Sequence, residues 1–127
     1  MKDGKPVILF VEDERLMLMA FERNFDDVAH VLLAENLSLA QQLFHEHRDE
    51  LDLVIVDGHV DSNCLDTIPF VRMVRREGYA GPLLSAASDL RDQDEMMRRG
   101  CSHRVERKQD LTEVVRTILR DADKLGA

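Results

Sequence analysis

Short apolar runs alternate along the chain with longer amphipathic stretches. The first run, Val7-Ile8-Leu9-Phe10-Val11, is continuous rather than alternating, the pattern of a strand covered on both faces. From Arg15 to Phe25, the residues Met17, Ala20, Phe21 and Phe25 fall at helical spacing. Val31-Leu32-Leu33 fits a second strand. Ser38 and Gln41 have capping-box spacing and introduce a helix over Leu39–His47, with Ala40, Leu43, Phe44 and His47 on one face. Leu53-Val54-Ile55-Val56 is the clearest strand, and it ends at Asp57. Asp66 or Thr67 is placed to cap a third helix that carries Pro69 in its first turn, buries Ile68, Val71 and Val74, and stops near Gly78. Gly81-Pro82 is a breaker, and Pro82-Leu83-Leu84 opens a short fourth strand. Asp89 to Arg99 reads as a helix in which only Leu90, Met96 and Met97 are strongly apolar, ended by Gly100. A fifth strand around His103 to Glu106 is weak, with Val105 its one clear apolar residue. In the last helix Asp110 and Glu113 have capping spacing, and Leu111, Val114, Val115, Ile118, Leu119 and Ala122 form one stripe.

Five strand–helix units in this order predict an α/β fold of flavodoxin-like type. Its five-stranded parallel sheet has helices on both faces and strand order 2-1-3-4-5. At 127 residues the chain has the size of one domain, with its core expected over about residues 6–125. The formal net charge of −8 argues against sequence-independent binding to nucleic acid, because an acidic surface repels phosphate backbones. No apolar run is long enough to span a bilayer, and Met1 to Lys5 lacks the apolar core of a signal peptide. Cys64 and Cys101 are too few and too far apart for a disulfide framework or a zinc cage, and they read as small fillers. The expectation is a cytoplasmic domain without membrane contact.

In an open α/β sheet, ligands bind outside the carboxyl ends of the strands. Strand one ends in Glu12-Asp13-Glu14, strand three in Asp57 and strand four in Ser85-Ala86. Strand five runs into Arg107-Lys108. With strands one and three adjacent, Glu12, Asp13 and Asp57 crowd one pocket, and a hard divalent cation relieves their repulsion. Oxygen ligands with several waters retained suit Mg2+. A carboxylate beside such a cation and a basic side chain is able to accept a phosphoryl group, and a serine hydroxyl at the rim to donate to a phosphate oxygen. Taken singly, each feature has a plainer reading. The acid cluster suits a helix N-terminus, Asp57 a strand-end cap, Ser85 a turn and Arg107 a solvated surface. His45 and His47 lack the two-histidine spacing of zinc hydrolases, and neither a GxGxxG nor a Walker loop occurs.

Taken together and in order, four segments resemble the receiver domains of two-component response regulators, over roughly Pro6 to Leu125. They are Val7 through Glu14, Leu53 through Asp57, Leu83-Leu84-Ser85-Ala86 and Gly100-Cys101. The resemblance implies that Asp57 is the phosphoacceptor. It implies that Glu12 and Asp13 hold Mg2+ with Asp57 and the backbone carbonyl of His59. It implies that Ser85 moves toward the phosphoryl group on activation. The implied partners are a histidine kinase or phosphotransfer protein, and a downstream protein or effector domain on the face made by the fourth helix, fifth strand and fifth helix. Homodimerisation through the last helices stays open. Such a domain is a switch that assists its own phosphorylation and dephosphorylation, rather than an enzyme.

Several positions depart from the family. Its lysine lies seven residues beyond the glycine that ends the fourth helix, which is Arg107 here, and Lys108 replaces the proline that follows. A cis bond before a residue other than proline costs about 2.5–4 kcal/mol, so Arg107-Lys108 is expected to be trans. Either Arg107 reaches the phosphoryl site as a broad fork, or Lys108 does through a shift of one residue. Arg104 stands where the family has an aromatic switch residue. Asp61 replaces a common proline, and Cys64-Leu65 a common Asp-Gly. These departures support a second reading, a phosphate-independent pseudo-receiver acting as a protein-interaction module. A phosphate-ester hydrolase with an aspartate nucleophile is disfavoured, since His59 stands where its second aspartate belongs. The cluster Arg98-Arg99, His103-Arg104 and Arg107-Lys108 is the one positive patch, either solvated or facing an acidic partner.

Overall fold

Strands β1 (Val7–Val11), β2 (His30–Ala34), β3 (Leu53–Val56), β4 (Leu83–Ser85) and β5 (His103–Arg104) form one parallel sheet in the order β2-β1-β3-β4-β5. Helices α1 (Arg15–Phe25), α2 (Leu37–His47), α3 (Ile68–Arg76), α4 (Leu90–Arg99) and α5 (Leu111–Asp121) alternate with them. The fold class and strand order are those expected. The computed structural model describes residues 1–124, so Leu125, the expected end of the core, lies outside the described residues.

The continuous apolar strands sort by parity onto two cores. Val7, Leu9 and Val11 of β1 point with Val54 and Val56 of β3 toward the layer of α2, α3 and α4, where Ala40, Phe44, Phe70, Val71, Val74 and Met96 meet them. Ile8 and Phe10 point with Leu53 and Ile55 toward α1 and α5, where Leu18, Phe21, Phe25, Val115 and Leu119 close over them. A two-residue side-chain period in strands buried on both faces produces this division.

Several local expectations are corrected. Helix α2 starts at Leu37 and is capped by Asn36, whose Oδ1 accepts the Leu39 N–H at 2.8 Å, so Ser38 is not its cap. Asparagine is a cap of comparable strength, and the earlier start brings Leu37 onto the core with Leu39 and Leu43. On α1 Leu18 turns inward with the expected Phe21 and Phe25, while Ala20 is exposed. Neither Asp66 nor Thr67 caps α3 through its side chain. Asp66 instead accepts the N–H groups of Val60 and Asp61 at 3.0 and 2.8 Å, and the Thr67 hydroxyl donates to the Gly58 carbonyl at 3.3 Å. Both shape the loop after β3. Asp89 caps α4, accepting the N–H groups of Arg91 and Asp92. The buried side chains of α4 are Gln93 and Met96, and Leu90 faces solvent. Asp110 makes no side-chain cap to α5. Cys101 is buried and Cys64 exposed, and burial pushes the Cys101 thiol up to about 12.

Helix α4 ends where Gly100 adopts φ +145°, a conformation that favours glycine. A Cβ there would also meet Arg75 Cγ at 3.0 Å and Val71 Cγ1 at 3.2 Å. Arg75 uses this close approach. Its guanidinium donates to the carbonyls of Gly100 (2.8 Å), Tyr79 (2.9 Å) and Gly81 (2.7 Å), joining the end of α4 to the turn that feeds β4.

Ile55 is fully buried in the central strand, whereas Leu16 on α1 is 75% exposed. Ile55→Ala should cost about 2–5 kcal/mol in urea unfolding, and Leu16→Ala about 0.5 kcal/mol or less. Equal costs would contradict the burial described.

Candidate functional site

The register of the sheet builds the site. Val11 of β1 pairs with Val56 of β3, so the residues that follow, Glu12 and Asp57, emerge side by side at the carboxyl edge. The Asp57 N–H donates to the Val11 carbonyl at 3.0 Å and the Glu12 N–H to the Ala34 carbonyl at 3.0 Å, which fixes both backbones. Carboxylate oxygens of Glu12, Asp13 and Asp57 lie within 4.8 Å of one another. Glu12 is 1% and Asp57 8% exposed, while Asp13 faces solvent.

Two buried carboxylates cannot both ionise cheaply. Burial raises the Glu12 carboxyl to about 8, helped by a hydrogen bond to Asp57 and by the Asp57 charge, with Lys108 only partly offsetting the rise. Asp57 Oδ1 accepts the Gly58 N–H at 2.8 Å. Glu12 Oε2 is buried without a hydrogen-bond partner among the described residues. That orphaned oxygen and the all-carboxylate donor set fit a hard divalent cation, which takes oxygen ligands and relieves the repulsion.

The basic group at the site is Lys108. Its Nζ lies 3.2 Å from Asp57 Oδ2 and 3.2 Å from Glu12 Oε1. Burial works against the ammonium, but the Asp57 and Glu12 carboxylates outweigh it, so its pKa is raised and the charge is kept. The Arg107 side chain is 69% exposed and pairs with Asp110 at 3.2 Å. The chain achieves this by turning early. Val105 is buried just after β5, Glu106 and Arg107 point outward, and a single 3-10 turn over Lys108–Asp110 swings Lys108 back under the sheet edge. Counting from Gly100 does not reveal that turn. Among the described residues no peptide is cis, so Arg107-Lys108 is trans as expected.

Ser85 is fully buried at the end of β4, and its hydroxyl donates to Met96 Sδ of α4 at 3.2 Å. His59 is half-buried in the loop after β3, and its Nε2–H donates to Asp92 of α4 at 2.9 Å. The sequence reading did not include Met96, Gln93 or Asp92 in the site. The signal that could have found them is spacing, since Gln93 and Met96 stand three apart on the face opposite the charged residues of α4.

Four guanidiniums of the expected basic patch are paired with three carboxylates. Arg98 and Arg99 both pair with Glu95 at 2.6 Å, and Arg104 pairs with Asp94 at 2.6 Å. With Arg107 on Asp110, none of these four guanidiniums is left without a carboxylate.

No family model matches the chain, and no curated protein matches it in sequence. Solved structures do match it. A response regulator receiver domain protein from Clostridium thermocellum superposes with TM-score 0.77 at 20% identity, covering 93% of this chain and 97% of the other. The chemotaxis protein CheY4 of Vibrio cholerae gives 0.76 at 17% identity, over 91% and 99%. A complex of CheX and CheY with BeF3 and Mg2+ from Borrelia burgdorferi gives 0.77 at 13% identity, over 92% and 89%. At these identities the likeness is one of fold. The chain has the fold of response regulator receiver domains, and its Glu12, Asp13 and Asp57 cluster resembles their phosphoacceptor site.

The raised Glu12 carboxyl carries a pH signature in chelator-treated protein. Below about pH 4.5 folded and unfolded chains both hold the proton. Between 4.5 and about 8 the unfolded chain releases it while the folded chain keeps it, so stability falls as pH rises. Glu12→Gln removes this loss. The variant should gain up to roughly 5 kcal/mol on wild type between pH 4.5 and pH 8, at about 1.4 kcal/mol per pH unit. A stability difference that stays constant with pH, measured by urea unfolding, would count against the buried proton.

Proposed function

We propose that the chain is a phosphorylation-dependent signalling switch that accepts a phosphoryl group on Asp57 from a histidine kinase or phosphotransfer protein. The observation that carries this reading is the Asp57 carboxylate, nearly buried at a strand end, with the Lys108 ammonium at 3.2 Å and two further carboxylates beside it. A carboxylate oxygen of Asp57 attacks phosphorus as the P–N bond of a phosphohistidine breaks, its electron pair leaving on the imidazole. The product is an acyl phosphate. Glu12, Asp13, Asp57 and the backbone carbonyl of His59 would hold Mg2+, which would neutralise charge on the transferring oxygens. Lys108 adds a fixed positive charge on the same side, in a pocket where water screens little. Ser85 leaves Met96 to donate to a phosphoryl oxygen, which links the chemistry to α4. The acyl phosphate then shifts an existing equilibrium, and the readout is a downstream protein or effector domain on the α4-β5-α5 face.

No described helix is long and apolar enough to cross a membrane. A cytoplasmic setting, where histidine kinases present their phosphohistidine, is the matching location.

Intact-mass measurement after incubation with a small phosphoryl donor should show one phosphoryl group, dependent on Mg2+ and lost in Asp57→Asn. An unlabelled, folded wild type beside a labelled control receiver would sink this reading and leave the phosphate-independent interaction module.

The two basic neighbours should separate cleanly. Lys108→Ala should slow labelling by on the order of 100-fold, while Arg107→Ala, whose partner is Asp110, should change it less than about 2-fold. The opposite ranking would show that Arg107 serves the site.

A further inference from the structure

We propose that Gln93 is a positioning residue that ties the state of Ser85 to the placement of α4 and β5, an inference that rests on phosphorylation of Asp57. Gln93 lies early in α4 and has no exposed surface. Its Nε2 donates to two carbonyls, Ala87 at 2.6 Å and Val105 at 2.8 Å. Both partners are acceptors, so both amide protons are used and the amide has one orientation. Its Oε1 is buried and accepts no hydrogen bond among the described residues.

The two carbonyls belong to the segments that leave β4 and β5. Ala87 stands two residues beyond Ser85, and the Val105 N–H donates to the Ser85 carbonyl at 3.1 Å. One helical turn along the same face, Met96 Sδ accepts the Ser85 hydroxyl. The inner face of α4 therefore grips Ser85 through Met96 and the chain beyond β4 and β5 through Gln93. Arg104, in the position where receiver domains carry an aromatic switch residue, is turned outward onto Asp94. No ring joins β5 to Ser85 here, and the buried amide is the polar side chain that bridges the two loops.

This grip is poised rather than saturated. A buried amide oxygen without a donor is unfavourable, whereas each carbonyl on Nε2 is satisfied. When Ser85 turns toward a phosphoryl group on Asp57 it releases Met96, and Ala86-Ala87 follow. The Ala87 carbonyl then leaves Nε2, and an amide freed on one arm no longer holds Val105 against α4. The two loops respond together because one side chain holds both.

Hydrogen exchange read by mass spectrometry on the full chain, with Mg2+ and with or without beryllofluoride, tests this. Exchange of 86–93 and of 103–106 should rise together, severalfold, in wild type. In Gln93→Met, which keeps the length and loses the donors, beryllofluoride should still change 86–93 and no longer change 103–106. A purely structural role predicts faster exchange in both states with the beryllofluoride difference intact, and that result overturns the inference. Gln93→Leu, close in volume and without a donor, serves if the methionine variant does not fold. Independently of any variant, a wild type in which 86–93 responds and 103–106 does not also overturns it. A wild type in which neither segment responds, and which takes no phosphoryl label, brings down the Asp57 reading and this inference with it.

Discussion

Val11 and Val56 face one another in a parallel ladder, and the residues after them are both acids. Sheet hydrogen bonds fix their backbones, so Glu12 and Asp57 are not free to move apart. Most of the chemistry at this edge of the sheet answers that forced proximity. One carboxyl keeps its proton when no cation is near. The Lys108 ammonium is drawn in and stays charged despite being half-buried. An orphaned Glu12 oxygen waits at the back of the pocket. The apolar strands, with both faces covered, supply the rigidity that makes the repulsion unavoidable.

Helix α4, on the other side of the site, is seated differently. Its sequence is almost wholly polar, yet it is seated by two side chains, Gln93 and Met96, which reach the carbonyls beyond β4 and β5 and the Ser85 hydroxyl. Outside, Arg98 and Arg99 share Glu95 of the same helix, and Asp94 takes Arg104 of β5. Leu90 stands exposed at the start of this face.

Much of the fold was legible because double-sided burial writes itself as uninterrupted apolar runs, as at Val7–Val11 and Leu53–Val56. Their ends, being the only polar interruptions, pointed straight at Glu12, Asp13 and Asp57. What stayed hidden depended on geometry that no spacing rule records. Asn36 and Ser38 both have capping chemistry, and only the packing of Leu37 chooses between them. Asp66 looked like a helix cap but binds the preceding loop. Arg107 and Lys108 are adjacent cations, and a single 3-10 turn decides which faces the acids. Gln93 is a polar residue in a polar helix, and its burial has no sequence signature beyond its distance from Met96.

Arg75 gives the fold an asymmetry. One guanidinium ties the Gly100 carbonyl at the end of α4 to the carbonyls of Tyr79 and Gly81 in the turn before β4. The start of α4 is held by its Asp89 cap, the Gln93 amide, the His59–Asp92 contact and the exposed Arg104–Asp94 pair. A rod clamped at one end and lightly latched at the other does not slide when pushed. It pivots, and the displacement grows along its length from Gly100 toward Leu90.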